Sequence, residues 1–494
     1  MGEAELIQER LRKLEEIKKL GINPYPYSFD AKDNAAELQE KYAKLKEEEK
    51  TKDKAVVAGR LVALRRMGKA SFAALQDMTG KVQLYFRQDD VGEKLYKLLK
   101  LSDVGDIIGV EGIVFKTKTG EVTIYVNKFE MLCKSIRPLP EKFHGLKDDE
   151  LRYRQRYVDL IMNADVKKTF IMRTKIIDAM REFLNSKGFL EVEVPTLQAI
   201  YGGANAKPFM TFHNELKQNM FLSISPELFL KRCIVGGLDK VYTIGKNFRN
   251  EGIDTTHNPE FTSMESYEAY ADYNDTMTLT EEMIEFICKK VLGTTKVKYG
   301  DKTLDFKVPW QRMSMKDAIK KHYLLDVDKM KDDELKDKVR DLGVDAGEGT
   351  KDEMINAIFE DQVESKLEQP TFITDYPKGI CPLTKVHRKD KDLVERFEGF
   401  VNGMELANAY SELNDPKDQE ERLKKQEEAR KKGDEEANPM DADFIRALEY
   451  GMPPTGGLGI GVDRLIMFLT NSASIRDVIL FPMMRTRNKK FIGD

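Results

Sequence analysis

The stretch 240–272 constrains the fold of this chain most, because it predicts both a hairpin and a set of side chains on one face. It reads KVYTIGKNFRNEGIDTTHNPEFTSMESYEAYAD, in which two strand-like segments flank a turn-rich centre and indicate antiparallel strands with a long tip. Successive side chains of a strand point to opposite faces. The residues of equal parity are Asn247, Arg249 and Glu251 in the first segment and Phe261, Ser263, Glu265 and Tyr267 in the second.

If the two faces coincide, one sheet surface displays an arginine, two carboxylates and two aromatic rings, with His257 on the connecting loop. Burying such charges without partners is costly, so a bound ligand would account for them. The alternative is a solvent-exposed sheet face with ordinary ion pairs. The hairpin by itself leaves both interpretations open.

A second informative stretch is glycine-rich and reads PTGGLGIGVDRLIMFLT over 454–470. Its glycines lack Cβ atoms, so a flat ligand can lie against this strand before a helix begins near Asp463. Arg464 falls in the first helical turn, where a cation gains nothing from the helix dipole, and an anionic partner would explain it. The stretch matches neither the P-loop nor the dinucleotide fingerprint, so any nucleotide binding here is of another type.

The third stretch, RFEGFVNGMELANAYSEL over 396–413, contains a two-residue hairpin signal at Asn402-Gly403. Pairing around that turn places Glu398 and Glu405 on one face. Adjacent carboxylates repel each other unless a cation lies between them, and oxygen ligands suit Mg²⁺.

Two further polar residues of this stretch, Asn408 and Glu412, share parity with each other but not with Glu405. A β-bulge after Glu405 is needed to bring them into the same site. The alternative for each acid is an ordinary surface carboxylate.

The rest of the chain indicates several domains, since 494 residues are too many for one core. Helices are predicted at 3–20, 35–50 and 165–187. Five short apolar or alternating runs in 55–135 predict a small closed β-barrel such as an OB-fold, with an unspecific β domain as the alternative. The expected domains are a helical extension 1–53, a barrel 54–136, a linker 137–152 and an α+β domain 153–494 with a helical insertion near 316–366.

Composition excludes a few classes of protein. No apolar run reaches the roughly 18 residues of a membrane-spanning helix, and the first residues lack a signal-peptide core, so no membrane attachment is expected. The four cysteines form no CxxC pair, which disfavours structural zinc and suits the cytoplasm. The net charge of −4 does not decide nucleic-acid binding.

Together, these stretches resemble the class II aminoacyl-tRNA synthetases. The helix followed by the strand FLEVEVP looks like motif 1, FRNEG with HNPEF like motif 2, and GLGIGVDRL like motif 3. GKASFAALQD and KVQLYF resemble the anticodon-binding OB domain of the lysyl, aspartyl and asparaginyl subgroup, IIb. The resemblance implies a catalytic domain with a central antiparallel sheet, ATP and Mg²⁺ as requirements, a tRNA partner and a homodimer.

The amino-acid substrate is a question of charge, because a lysine ammonium needs carboxylates whereas aspartate needs Arg or Lys. Glu227, Glu265 and Glu412 stand at pocket positions and favour the lysyl branch, with lysine and tRNA(Lys) as substrates. The alternatives are an aspartyl or asparaginyl enzyme, a paralogue that lysylates proteins and lacks the OB domain, and a non-catalytic protein on the same fold.

The resemblance also implies roles for individual residues. Arg249 binds the α-phosphate, Arg464 and Phe261 stack on adenine from opposite sides, and Arg464 reaches the γ-phosphate. Further nucleotide and metal contacts are Glu251 to the adenine amino group, His257 near the terminal phosphates, and Glu398 with Glu405 to Mg²⁺. Lysine is expected with its ε-ammonium near Glu265 and Glu412, its α-amino group near Glu227, Gly203 closing over it, and Tyr267 and Asn408 alongside. For the anticodon, Phe72 is expected to stack on a base, with Gln83 and Arg65 as polar contacts, the alternative for Phe72 being barrel core.

Overall fold

The structure is a computed structural model that describes residues 2–140, 148–346 and 349–486. The chain forms two compact units, Met1–Lys147 and Asp148–Asp494. Parts of the predicted linker (141–147), of the predicted insertion (347–348) and of the predicted α+β domain (487–494) lie outside the described residues.

The first unit is a closed five-stranded barrel with strand order β1-β2-β3-β5-β4. Its strands are β1 Lys50–Met67, β2 Ala70–Gln76, β3 Lys81–Arg87, β4 Ile107–Lys116 and β5 Val122–Cys133. Its helices are α1 Glu3–Lys19, α2 Ala35–Lys41, α3 Gln88–Val91 and α4 Glu93–Leu101. Burial alternates along β2 and β3 as the period of a strand requires, with Leu75 and Leu84 fully inside. The predicted OB-type barrel is confirmed.

The helix predicted over 35–50 is wrong in its second half. Helix α2 ends at Lys41, and β1 already begins at Lys50. Glu48 has a positive φ of 61°, which is incompatible with a right-handed helix. The prediction rested on a run of charged residues. In the structure only Ala35 and Leu38 of this helix are buried, and both lie in its first four residues.

The second unit combines helices with a large mixed sheet. Its helices are α5 Asp149–Arg154, α6 Arg156–Met162, α7 Ala164–Ser186, α8 Glu227–Val235, α9 Tyr273–Leu292, α10 Met315–Tyr323, α11 Asp332–Asp341, α12 Lys351–Ile358, α13 Pro416–Lys431, α14 Ala442–Glu449, α15 Val462–Leu469 and α16 Ile475–Val478. A π-helix at Phe359–Val363 and 3₁₀ turns at Glu364–Lys366 and Lys378–Ile380 complete the helical segments. Helices α10 to α12 lie between two neighbouring strands of the sheet, where the insertion was expected.

Eight strands form the main sheet, in the order β14-β15-β16-β17-β18-β11-β10-β6. The strands of this unit are β6 Leu190–Glu191, β7 Leu197–Gln198, β8 Met210–His213, β9 Gln218–Leu222, β10 Lys240–Phe248, β11 Glu260–Ala269, β12 Lys296–Tyr299, β13 Lys302–Asp305, β14 Gln311–Ser314, β15 Thr371–Pro377, β16 Leu393–Val401, β17 Met404–Ser411 and β18 Thr455–Gly461. The predicted antiparallel centre is confirmed, and the outermost pairs, β14 with β15 and β6 with β10, are parallel. The FLEVEVP strand is shorter than predicted, because only Leu190–Glu191 pair.

The registers of two hairpins decide which side chains share the central face. In the first hairpin Asn247 pairs with Phe261, so the face of Asn247 coincides with that of Phe261 and Glu265 as predicted. The first strand is shorter than predicted, because β10 ends at Phe248 and Arg249 and Glu251 follow it on the loop. In the second, Glu398 pairs with Asn408 while Phe400 pairs with Glu405, which leaves an extra residue on β17. The predicted bulge after Glu405 is thereby confirmed.

No helix among the described residues is long and apolar enough to cross a membrane.

Candidate active site

A cavity of about 360 Å³ lies on the polar face of the main sheet. Strands β10, β11, β16, β17 and β18 present their inward-facing side chains to it, because the registers above place those side chains on one face. The predicted site residues that line it are Gly203, Glu227, Arg249, Glu251, His257, Phe261, Glu265, Tyr267, Glu398, Glu405, Asn408 and Arg464. Glu412 is absent from this lining and lies buried against Gly457, which belongs to it.

One end of the cavity is cationic. The Arg249 guanidinium carbon lies 5.1 Å from the centre of the Phe261 ring, and its Nε is buried without a hydrogen-bond partner among the described residues. Arg464 donates to the Glu405 carbonyl at 2.6 Å and lies 3.3 Å from His257 Nε2. An unpaired buried N–H beside a second arginine suits an anion such as a polyphosphate.

The rim of this end is exposed to solvent. Glu251 and His257 are both exposed there, and His257 Nδ1 lies 2.9 Å from an Asp254 carboxylate oxygen. Both residues lie beyond the paired strands, on the loop that joins β10 to β11. They are therefore placed to contact the outer parts of a ligand rather than its buried end.

The acidic pair Glu398 and Glu405 lines the cavity near these arginines. Glu398 accepts a hydrogen bond from the Tyr376 hydroxyl at 2.8 Å and pairs with Arg396. Burial raises the pKa of Glu398 to about 7, with Arg396 opposing the rise and Glu405 adding to it. Burial, followed by the charges of Glu398 and Glu405, likewise raises the pKa of Glu364 to about 7.

These carboxylates fit a shared cation better than a closed metal cage. Within residues 2–140, 148–346 and 349–486, no group of three His, Cys, Asp or Glu side chains is arranged to hold a metal ion. Mg²⁺ is usually held by one or two carboxylates together with phosphate and water oxygens. Glu398 and Glu405 provide that arrangement, because they lie beside the cationic end of the cavity, which suits a polyphosphate.

The opposite end of the cavity is acidic. Ser225 donates to the Glu265 carboxylate at 3.0 Å, and the Tyr267 hydroxyl lies 3.4 Å from it. Burial, followed by the charge of Glu227, raises the pKa of Glu265 to about 8. Because burial disfavours the ionised form of Glu265, a cationic ligand beside this carboxyl would stabilise that form.

Glu412 stands behind Gly457, which lines the cavity. A Cβ at Gly457 would collide with Glu412 Oε1 and would lie 2.6 Å from Tyr267 Cε1, so only glycine fits there. Burial raises the pKa of Glu412 to about 8 against the attraction of Lys231. Gly203 is similarly confined, with a φ of +90° and Glu227 Cβ at 2.9 Å from its own would-be Cβ.

Sequence reasoning missed two buried cations of this site. Lys231 Nζ lies 2.7 Å from Glu227 and 2.5 Å from Glu412, and Arg396 contacts both Glu398 and Asn408. Both left a signal in the sequence. Lys231 follows Glu227 by four residues on one helix, and Arg396 shares strand parity with Glu398.

A third missed feature joins the three predicted motifs. Arg173 on α7 pairs with Asp463 at 2.5 Å and donates to the Thr262 hydroxyl at 3.0 Å. Asp463 in turn accepts the Thr262 backbone N–H at 2.7 Å. This buried network holds α7, β11 and α15 together beneath Phe261 and Arg464, and side-chain periodicity within one segment contains no sign of it.

The barrel carries a separate concave surface lined by Arg65, Phe72 and Gln83. Phe72 is half-buried on the outside of the barrel rather than in its core, with its ring centre 4.7 Å from that of Tyr85. Gln83 donates to the Thr123 hydroxyl at 3.0 Å. The register places Phe72 between Arg65 and Tyr85 across three strands, and sequence reasoning missed Tyr85.

Two family models match this chain, one within each of its two units. Residues 148–485 match the family model described as tRNA synthetases class II (D, K and N), and residues 55–132 match the OB-fold nucleic acid binding domain. The chain is 55% identical over 486 residues to the lysine--tRNA ligase of Clostridium novyi (strain NT), covering 97% of this chain and 94% of that protein. It is 54% identical over 487 residues to the lysine--tRNA ligase of Carboxydothermus hydrogenoformans, covering 98% and 99%. It is 53% identical over 487 residues to that of Pelotomaculum thermopropionicum, covering 98% and 95%.

Proposed function

This chain belongs to the class II tRNA synthetases and, within them, to the lysine--tRNA ligases, and we propose that the cavity of the second unit is where lysine and ATP react. The enzyme joins lysine to tRNA in two steps. Lysine first reacts with ATP to give lysyl-adenylate and pyrophosphate, and the lysyl group then passes to the 3′ end of tRNA(Lys). The observation that carries the site assignment is a single cavity with a cationic end and an acidic end.

In the first step a carboxylate oxygen of lysine bonds to the α-phosphorus, and the bond from that phosphorus to the bridging oxygen of pyrophosphate breaks. The nucleophile is already anionic, so no general base is required. Catalysis rests on positioning and on stabilising the negative charge that develops on the phosphoryl oxygens. Arg249 supplies that stabilisation, since its unpaired buried N–H can donate to an α-phosphate oxygen.

The remaining contacts to ATP are assigned to residues at the cationic end of the cavity and on its rim. Phe261 and Arg464 hold the adenine ring between them, and Arg464 also reaches the γ-phosphate. Glu251 accepts a hydrogen bond from the adenine amino group at the rim. His257 binds near the terminal phosphates, consistent with its position 3.3 Å from Arg464.

Glu398 and Glu405 would hold Mg²⁺, supported by the pKa of Glu398, which burial and then the nearby charge of Glu405 raise to about 7 against the opposing charge of Arg396. When bound, Mg²⁺ would stabilise the negative charge of the phosphates and of the departing pyrophosphate. Arg396 and Tyr376 orient the Glu398 carboxylate for that role.

Lysine lies at the acidic end. Its ε-ammonium approaches Glu265 and Glu412, its α-amino group approaches Glu227, and Gly203 closes over it. Tyr267 and Asn408 form the sides of the same pocket. An aspartate or asparagine side chain would bring no cation to these glutamates, which favours lysine over both alternatives.

In the second step a terminal ribose hydroxyl of tRNA attacks the lysyl carbonyl, and AMP leaves. We assign anticodon recognition to Phe72, Gln83 and Arg65 on the barrel. Phe72 is half-buried in the lining of the concave surface, beside Tyr85, where an aromatic ring can stack on a base. The OB domain also separates this chain from paralogues that lysylate proteins and lack one.

We extend the proposal to a homodimer in the cytoplasm, without membrane attachment. Large apolar side chains are exposed in the predicted motif 1 and in the sheet that follows it along the chain, including Leu190 at 52%, Met210 at 65% and Phe212 at 53%. Such a patch is typical of a subunit interface. The four cysteines are all free, as a reducing compartment would keep them.

The function is tested by amino-acid-dependent ATP–pyrophosphate exchange with lysine, aspartate and asparagine in separate assays, each with and without Mg²⁺. Exchange with lysine alone that disappears without the metal supports the acidic pocket and the Glu398–Glu405 site together. Exchange with aspartate or asparagine would refute the charge argument. No exchange with any of the three would refute the assignment of this cavity as the active site.

A further inference from the structure

A buried ion cluster lies behind the acidic end of the cavity. Lys231 is completely buried, with its Nζ 2.7 Å from Glu227 Oε1 and 2.5 Å from Glu412 Oε2. Glu227 and Lys231 lie one turn apart on α8, and Glu412 follows directly after β17. Burial disfavours the charge of Lys231, but Glu227 and Glu412 outweigh burial and raise the pKa of Lys231. The protein therefore holds an ammonium group of its own against the pocket proposed for a lysine substrate.

One of the two glutamates that Lys231 joins lines the cavity, and the other lies buried against a lining residue. Glu227 lines it directly. Glu412 Oε1 has no hydrogen-bond partner among the described residues and points at Gly457, a cavity-lining residue without a side chain. Glu227 thus meets both Lys231 and the cavity, whereas Glu412 contacts Lys231 and lies buried against Gly457 in the cavity wall.

The charges at this end can be counted. Glu227, Glu265 and Glu412 contribute three negative charges when ionised, and Lys231 cancels one of them. Two negative charges remain, which match the α-ammonium and ε-ammonium groups of one lysine molecule.

On the basis of the function proposed above, we infer that Lys231 is a specificity-determining residue, a resident ammonium that sets the net charge of the pocket for a substrate with two ammonium groups. Without Lys231, three buried carboxylates would face two substrate cations, and the uncompensated charge would oppose binding. If Lys231 were kept and one of the three glutamates were absent, only one net negative charge would remain for the two ammonium groups of the substrate. Lys231 therefore acts through Glu227 and Glu412 rather than by touching substrate.

A double-variant cycle on Lys231 and Glu227 separates charge counting from a merely structural role. Glu227→Gln leaves one net negative charge, Lys231→Met leaves three, and the combined variant returns to two. We expect the lysine KM in ATP–pyrophosphate exchange to rise in each single variant, with that of the combined variant roughly tenfold below Glu227→Gln alone. Discrimination between lysine and norleucine, which lacks the ε-ammonium, should recover in parallel, while the ATP KM changes little throughout.

The decisive comparison is between Glu227→Gln and the combined variant. It can be made even if Lys231→Met alone does not fold. A matched control is Lys240→Met with Glu268→Gln, an ion pair of 2.6 Å on neighbouring strands outside the cavity lining, which should leave the lysine KM unchanged. A combined variant whose lysine KM equals or exceeds that of Glu227→Gln would overturn the inference. Absence of lysine-dependent exchange in the unmodified enzyme would instead refute the proposed function.

Discussion

Gly457→Ala is expected to disable lysine binding while leaving nucleotide binding intact. A methyl group at this position would lie 2.6 Å from Tyr267 Cε1, against 3.4 Å for ordinary contact, a shortfall of 0.8 Å. It would collide still more closely with Glu412 Oε1, and Glu412 is held from behind by Lys231. Neither side chain can retreat without leaving its place at the acidic end.

The size of the effect follows from the cost of overpacking a tight interior, which is about 1–3 kcal/mol. Expressed in lysine binding, that cost raises the lysine KM roughly 5- to 150-fold, since about 1.4 kcal/mol corresponds to a factor of ten. The assay is ATP–pyrophosphate exchange with lysine and ATP titrated in turn, with thermal unfolding measured on the same samples.

Gly399→Ala is the matched control, because Gly399 is absent from the cavity lining and its Cβ would lie 3.4 Å from both Ala407 Cβ and Phe372 Cε1, an ordinary contact. We expect its lysine KM to stay within about twofold of the unmodified value. Equal losses for lysine and ATP in Gly457→Ala, or an unchanged lysine KM, would refute the steric reasoning.

Three other measurements test separate parts of the molecule. The pKa values of Glu265 and Glu412, raised to about 8, mean that the folded protein holds protons the unfolded chain has lost, so these groups reduce stability as pH rises from about 4.5 to 8. Lysine binds their ionised forms, and the increase in Tm that lysine causes should therefore grow between pH 6.5 and 8.5; an increase independent of pH would contradict this. Glu398→Gln should raise the Mg²⁺ concentration needed for half-maximal exchange about tenfold or more, and an unchanged Mg²⁺ requirement would remove Glu398 from the metal site. Phe72→Ala should raise the tRNA KM roughly 5- to 150-fold through lost base stacking, with lysine-dependent exchange unaffected; a parallel loss of exchange would indicate misfolding instead.

The part of the site that could be predicted from spacing is the part that lies in strands, where parity alone assigns a face. It consists of Phe261, Glu265, Tyr267, Glu398, Glu405 and Asn408. The coincidence of the Asn247 face with the face of Phe261 and Glu265 required only that the two strands pair, and the observed register provides it. The bulge on β17 was deduced from a conflict of parity between Glu405 and Asn408, and the structure contains it. Where the two-residue period of a strand is unbroken, the face to which each side chain points follows from its position in the sequence.

Contacts between distant segments could not be predicted in this way. Lys231 meets Glu412 only because α8 packs against the end of β17, and Arg173 reaches Asp463 only because α7 packs against α15. Both are long-range ion pairs whose geometry depends on tertiary packing rather than on spacing along the chain. The helix predicted over 35–50 failed for a related reason, since charged composition indicated a helix where β1 was about to pair within the barrel.

The bulge at Leu406 determines where a change of length leaves the two faces of this strand unaltered. Because Leu406 is the extra residue, its deletion would turn the local pairing into a regular ladder and keep Glu405 and Asn408 on the same face. Deleting Ala409 would instead move Tyr410 and Glu412 to the side now occupied by the core. Libraries that shorten or recombine this sheet should therefore vary its length at position 406 and keep the count of residues unchanged from 407 onward.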